Sequence, residues 1–343
     1  MSALNPAKPA PPLRGRGFGA LSERQSRVLM LLGRRLIQIP LVLLVVSVLT
    51  YWLIQVVPGD PGRSTLGQYA TAAQVHAWDV QNGLTGSTLH RYLHWLSGFV
   101  TGKWGTSFVY SEPARGLVLG HLVNSMLLGI VAFVMLVPVS IVLGAVQAYR
   151  EGRRTDRGIT IVSLSVSAVP VFVIGVLLIL IFSVWLKIAP VNVTPSGSIL
   201  NRVREVLIPA VALALSYLAV VVRMVRTGVL DTLTAQYHRT AVVKGVPPAQ
   251  IVRRHVLRNA IVPTLSLLGL YLGALLCGNA VIETLFDYPG LGALLVSSAQ
   301  HKDVVPLSDG VMVAGAVALL ALLLADVLLI LVDPRIRFDN STN

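Results

Sequence analysis

Long apolar stretches broken by short polar segments set the reading of this chain. Residues 36–57, 117–149, 159–186, 206–222 and 260–282 hold no charged side chain, and residues 310–332 hold only Asp326. A helix needs roughly 20 apolar residues to cross the hydrocarbon core of a bilayer. Backbone groups in lipid must be satisfied within the chain, which favours helices for runs of this kind. The pattern predicts six membrane helices and an all-α integral membrane fold. The fourth run is the shortest and its ends are the least marked.

The segments between the runs give the organisation. Residues 1–30, rich in Pro, Gly and Ala with several Arg, read as a disordered arm. The first span follows at 31–57. Its apolar run is longer than the core of a signal peptide and no small-residue cleavage site follows it, so it is expected to be retained. Residues 58–116 form an external segment, 117–332 a five-span membrane unit with an internal loop at 224–259, and 333–343 a tail.

Composition agrees. Of the 343 residues 54% are apolar and 13% charged, against about 25% charged in soluble domains. The net charge of +13 follows from where Lys and Arg fall. With a cytoplasmic N-terminus, twenty of the 28 basic residues lie in inner segments. The positive-inside rule then places both termini in the cytoplasm. Because the basic residues flank membrane spans, nucleic acid is not an expected partner. Cys277 is the single cysteine, which excludes an intrachain disulfide and a cysteine metal site. His90 and His94 are four apart but read as polar positions on an external helix, so no metal is expected. The sequence lacks a GxxxxGK[ST] phosphate loop, so the chain is not expected to bind ATP itself.

Two polar segments are long enough to carry function. The external one opens on Pro58-Gly59-Asp60-Pro61-Gly62, a rigid turn after the first span and a candidate external gate at Pro58, Gly59 and Asp60. Leu89, Leu93, Leu96 and Val100 predict a helix, and Trp78, Tyr92, Trp95 and Trp104 argue for a folded cap. In the internal segment, residues 231–243 predict a short helix. Gly245-Val246-Pro247-Pro248 breaks it, and residues 249–259 predict a second. There Val252 and Val256 share one face and Arg254 and Arg258 another, as in a helix lying on a membrane or a partner. Such a helix–break–helix is a mechanical handle at the membrane surface.

Polar residues within spans are costly in lipid and mark cavities or interfaces. Asp326 is expected to pair with an Arg at a helix end or to meet a partner chain. Asn124, Asn279 and Glu283 are candidates for lining a pathway, with Asn279 and Glu283 on one face by their spacing. Gly269, Gly273 and Gly278 are expected to allow close helix packing.

The internal segment reads Tyr237-x-Arg239-Thr240-Ala241-x-x-Lys244-Gly245-x-Pro247, then Arg254-His255-x-Leu257-Arg258-Asn259-Ala260-x-x-Pro263. This resembles the cytoplasmic signature of ATP-binding-cassette importer permeases, and within them the dipeptide/oligopeptide/nickel permease family. The likeness continues through Val57-Pro58-Gly59-Asp60-Pro61, Arg91-Tyr92-x-x-Trp95-Leu96, Ser167-x-x-Pro170-x-Phe172-x-x-Gly175, Glu283-x-x-Phe286-x-x-Pro289-Gly290-Leu291-Gly292, Asp303-x-x-Pro306 and Asp333-Pro334-Arg335-Ile336-Arg337. The resemblance implies a type I importer permease fold in a bacterial plasma (inner) membrane. It implies a coupling helix at Tyr237, Arg239, Thr240, Ala241, Lys244, Gly245 and Pro247. It also implies a second homologous permease, two cytoplasmic ATPases that bind ATP and Mg, and an external substrate-binding protein that delivers short peptides or a related solute. The chain would be the non-catalytic subunit, working by alternating access. The alternative is a secondary transporter or channel without an ATPase, to which Asp326 would be central. A membrane enzyme built on His121, Asp60 and Ser107 has no supporting spacing.

Overall fold

The computed structural model describes residues 19–57, 59–67, 69–195, 197–251 and 257–332. Among these the regular structure is all helical, apart from one isolated bridge between Thr106 and Pro113. Among the described residues five helices are long and apolar enough to span a membrane, and one bent pair of helices is so when taken together. The expected count of six therefore stands with that pair taken as one span.

The first span is α1 (Gly19–Val56), which begins within the stretch expected to be a disordered arm. The correction has a local cause: residues 20–32 contain neither Pro nor Gly, whereas the prolines cluster before them. Residues 1–18 and 333–343 lie outside the described residues, as does Pro58. The external segment folds as α2 (Pro61–Leu66), α3 (Ala72–Gln81) and α4 (Thr88–Val100). Thr71 and Gln74 close a reciprocal capping box on α3, and the Ser87 hydroxyl caps α4. Helix α4 is where the leucine spacing placed it, but it turns the other face inward. Tyr92 and Trp95 are buried, while Leu89, Leu93 and Val100 are exposed. The larger aromatic surfaces win the contact with Tyr51 of α1, Val304 and Met312.

The second span is α5 (Ala114–Tyr149). The third apolar run does not form one straight helix. It divides into α6 (Arg154–Ala168) and α7 (Val171–Leu178), the latter continuing as a π-helical stretch over Ile179–Trp185, with a 98° bend at Val169–Pro170. Proline removes a backbone donor and disfavours helical geometry in the residue before it. Beyond α8 (Ile199–Glu205), the fourth span α9 (Leu207–Thr234) runs well past its apolar stretch. Its extension is held laterally: Arg226 donates from Nε and Nη2 to the Asp156 carboxylate at 3.1 and 3.0 Å, and Gly152 N–H caps the same carboxylate at 3.0 Å. This ties the α5–α6 turn to α9.

Then come α10 (Gln236–Val243), α11 (Pro248–Ile251), α12 (Leu257–Leu276), α13 (Ala280–Leu285), α14 (Leu291–Gln300) and α15 (Val304–Val332). The main core joins Leu128, Ala132, Ile174, Leu213, Leu275, Ile282, Phe286 and Tyr288. Packing is closest where side chains are smallest. A Cβ on Gly269 would lie 2.0 Å from the Ala325 Cβ, and one on Gly273 would lie 3.1 Å from the Ala318 carbonyl. Helices α12 and α15 thus meet through small residues, as expected for Gly269 and Gly273.

Asp326 of α15 forms an ion pair with Arg35 of α1, both about a quarter exposed. The partner is an Arg, as expected, but Arg35 lies at the start of the apolar part of α1 (Gly33–Val56) and not at the helix end. Asp326→Leu should destabilise the chain by more than the double Arg35→Leu/Asp326→Leu change. The single variant strands a cation in an apolar setting, whereas the double removes both charges. With the pair partly solvated, the difference should be about 1–2 kcal/mol in thermal unfolding of the full chain in detergent.

Candidate functional site

The handle between α9 and α12 is built from local rules. Helix α10 ends in a Schellman turn: Gly245 N–H donates to Val242 C=O at 3.0 Å and Val246 N–H to Ala241 C=O at 3.2 Å. Gly245 takes φ 72°, a backbone region that disfavours residues bearing Cβ. Pro247 then accepts from Gln250 and Ile251 N–H, opening α11. The break thus falls where Gly245 and the two prolines placed it. The first helix starts later than residue 231, because Asp231 belongs to α9 and the chain breaks at Ala235.

Of the residues expected to couple, Ala241 is buried and packs with Val246 and Ile251 against Val225 and Val229. It anchors α10 to α9. Arg239, Thr240, Lys244, Gly245 and Pro247 are exposed, and Tyr237 is half-buried. Val242 and Val243 are 54% and 86% exposed. The outward face is therefore an apolar valine pair flanked by Arg239 and Lys244, on a helix whose inner face is fixed. Residues 252–256, with Val252, Arg253, Arg254 and Val256, lie outside the described residues, and the side chain of Arg258 is not described.

The three expected pathway residues do converge, but around a turn. Asn279 caps α13, its side chain accepting from Ile282 N–H at 3.0 Å. Glu283 is 0% exposed. One carboxylate oxygen accepts from Ser125 Oγ at 2.6 Å and Asn279 N–H at 3.1 Å, and the other from Ala293 N–H at 3.0 Å. Ser125 in turn accepts from Leu291 N–H at 2.7 Å. Asn124 donates to Pro289 C=O at 2.8 Å and accepts from Arg202 at 2.8 Å, while Tyr288 donates to Asn124 C=O at 2.6 Å. These groups fasten the α13–α14 hairpin to α5. Glu283 is thus engaged in folding the hairpin, and it also borders the cavity beside it. Its spacing from Asn279 reflects the cap of α13, since the helix begins only at Ala280. A cavity of about 440 Å³ opens beside the hairpin, lined in part by His121, Asp287 and Tyr110.

After the end of α1, Asp60 accepts from Gly62 and Arg63 N–H and starts α2. Gly59 lies against Lys302, whose Cε would be 2.7 Å from a Cβ there. The Lys302 ammonium donates to the carbonyls of Ile54 and Val57 at the end of α1, where a cation suits the helix dipole. The cap is fixed to the start of α15 by two acids, Asp303, to which the sequence assigned no contact, and Asp309, which sequence reasoning passed over. Asp303 accepts from Ser107 Oγ and Val109 N–H, and Asp309 accepts from Trp95 Nε1 at 2.8 Å. Asp309 escaped notice because the last apolar run starts at residue 310, whereas α15 starts six residues earlier. Acids just outside an apolar run were the available signal. Among the described residues no cluster of His, Cys, Asp and Glu is suited to a metal.

Comparison with known proteins covers nearly the whole chain. Residues 140–338 match the family of binding-protein-dependent transport system inner membrane components, and residues 28–141 match the N-terminal region of such membrane components. The chain is 32% identical over 313 residues to the oligopeptide transport system permease protein AppB of Bacillus subtilis, covering 90% of this chain and 99% of that protein. It is 31% identical over 315 residues to the di/tripeptide transport system permease protein DppB of Pseudomonas aeruginosa, covering 85% and 94%. It is 32% identical over 305 residues to the glutathione transport system permease protein GsiC of Escherichia coli, covering 89% and 98%. With its apolar spans, its helix–break–helix and these matches over both halves, the chain belongs to the binding-protein-dependent transport system inner membrane component family, as a multi-pass permease.

Proposed function

We propose that this chain is one of two permease subunits of an ATP-driven importer that moves short peptides from an external binding protein into the cytoplasm. Family membership over both parts of the chain is the observation that carries the reading. The peptide cargo is supported by relatives named for oligopeptides, di- and tripeptides and glutathione. The bias of Lys and Arg supports cytoplasmic termini, which puts α10 inside and the α2–α4 cap outside. Two ATPase subunits would bind ATP and Mg. Closure of the ATPase pair would move α10, and α9 would carry that displacement into the core through Ala241, Val225 and Val229. No covalent chemistry is assigned to this chain. Pro58, Gly59 and Asp60 keep their proposed place at the outer gate.

Purification of the tagged chain from its native membrane in mild detergent should bring a second permease and an ATPase with it. In that complex, Gly245→Val should lower peptide-stimulated ATP hydrolysis about tenfold, because a β-branched residue resists the left-handed backbone of the turn. Gly245→Asn, which tolerates that region, should retain most of the activity. A Gly245→Val complex with undiminished coupled hydrolysis would sink the role given to this turn.

A further inference from the structure

Between the end of α1, the cap and the start of α15 lies a second cavity, of about 260 Å³. Four charged side chains line it: Asp60, Asp79, Arg91 and Lys302. Opposite charges around a small cavity ordinarily pair with one another. Here they do not. Among the described residues Asp79, Arg91 and Lys302 enter no ion pair, and Asp60 has only a 3.9 Å contact with Arg63 on its own helical turn.

The neighbours explain why the charges stay apart. Lys302 is committed to the carbonyls of Ile54 and Val57. Arg91 is held by neutral groups, the Gln55 side-chain oxygen at 3.1 Å and Thr88 Oγ1 at 3.4 Å, and its Nε is buried without a partner. Asp79 is half-buried on α3 and its carboxylate has no hydrogen-bond partner among the described residues. Burial, with the neighbouring Asp60 carboxylate, pushes the Asp79 carboxyl above its ordinary value against the opposing pull of His76 and Arg91. Both a cationic and an anionic receptor are thus left open in one cavity, each partly desolvated. Charge-assisted hydrogen bonds are strongest in that condition.

We infer that this cavity binds a small zwitterion, a short peptide by its two ends, with the ammonium at Asp79 and Asp60 and the carboxylate at Arg91. The cavity is on the face where the cap lies, so a molecule released there meets it before the spans. The inference rests on the importer reading for the source of the ligand, whereas the binding itself requires neither ATP nor transport.

The test uses the complete complex in lipid nanodiscs without the external binding protein, and three probes: dialanine, N-acetyl-dialanine and dialanine amide. Dialanine should bind, and each blocked analogue should bind about tenfold or more weakly, since each loses one charge-assisted contact. Asp79→Asn should abolish the preference for dialanine over its N-acetyl form while keeping the preference over the amide. Arg91→Gln should do the reverse. A merely structural role would weaken all three probes together in both variants, and that pattern overturns the proposal. So does absence of dialanine binding to the wild-type complex. If instead the binding protein docks more weakly on Asp79→Asn and no probe binds, the cavity belongs to that protein and the zwitterion site is refuted. Peptide uptake measured in parallel separates the two readings: uptake without dialanine binding refutes the cavity alone, and binding without uptake refutes the importer reading alone.

Discussion

Glu283→Gln should destabilise the chain by about 1–3 kcal/mol although it barely changes shape. Asn279 N–H donates to one carboxylate oxygen of Glu283 and Ala293 N–H to the other. A carboxylate accepts at both oxygens, but an amide accepts at one and donates at the other. Glutamine therefore turns an NH₂ group toward one of two buried N–H groups. Its side chain has no room to swing away, because Gly290 and Gly292 press against it. A Cβ on Gly290 would lie 2.3 Å from Glu283 Cδ, and one on Gly292 2.9 Å from Oε2. Glu283→Ala should cost more, about 3–5 kcal/mol, since it leaves Ser125 Oγ and both amides unsatisfied around a new void. Thermal unfolding of the detergent-solubilised chain measures both. A Glu283→Gln protein as stable as wild type would show that the hairpin does not depend on the two-sided acceptor.

Trp95→Phe tests how the cap is held. The indole N–H is the one hydrogen bond that the fully buried Asp309 carboxylate receives among the described residues, and the other oxygen has no partner there. Phenylalanine keeps a ring among Tyr51, Tyr92 and Phe99, whose centroids lie 5.8 to 6.0 Å from the indole. Most of the packing survives and the donor is lost. Leaving a buried acid without a donor should cost about 2–4 kcal/mol. The loss should appear first as protease cleavage within the cap. The double variant Trp95→Phe/Asp309→Leu should recover most of that stability, because removing both polar partners from an apolar wall is close to neutral. Failure of the double variant to recover would assign the effect of Trp95 to ring size.

What the sequence disclosed depended on whether a feature was written in side-chain polarity or in backbone geometry. The spans were legible because lipid demands unbroken apolar runs. The turn after α10 was legible because Gly245 and Pro247-Pro248 are backbone signals in themselves. The bend between α6 and α7 was hidden, since no charged residue interrupts the run and only Pro170 marks it. Helix α9 outlasted its apolar stretch because Arg226 finds Asp156 across the α5–α6 turn, a partner 70 positions away. The leucine spacing disclosed α4 as a helix, whereas its inward face, set by Tyr92 and Trp95, was not read from it. Asn124, Asn279 and Glu283 were chosen as polar residues in or near spans, and the structure does assemble them. That their partners are backbone groups of a hairpin was beyond any reading of side-chain types.

The first span has a mechanical consequence. Near one end of the apolar part of α1 (Gly33–Val56), Arg35 is paired with Asp326 of α15, and at the other Lys302, two residues before α15, grips the last carbonyls of α1. Between these two rivets much of the apolar surface of α1 stays uncovered by its own chain. A rod pinned to its neighbour at both ends and free along its flank neither slides nor pivots on its own. Whatever rearrangement carries a solute inward, α1 travels with α15 as a single piece of frame. Relative motion is left to the segments that are not riveted, foremost the turn at Gly245.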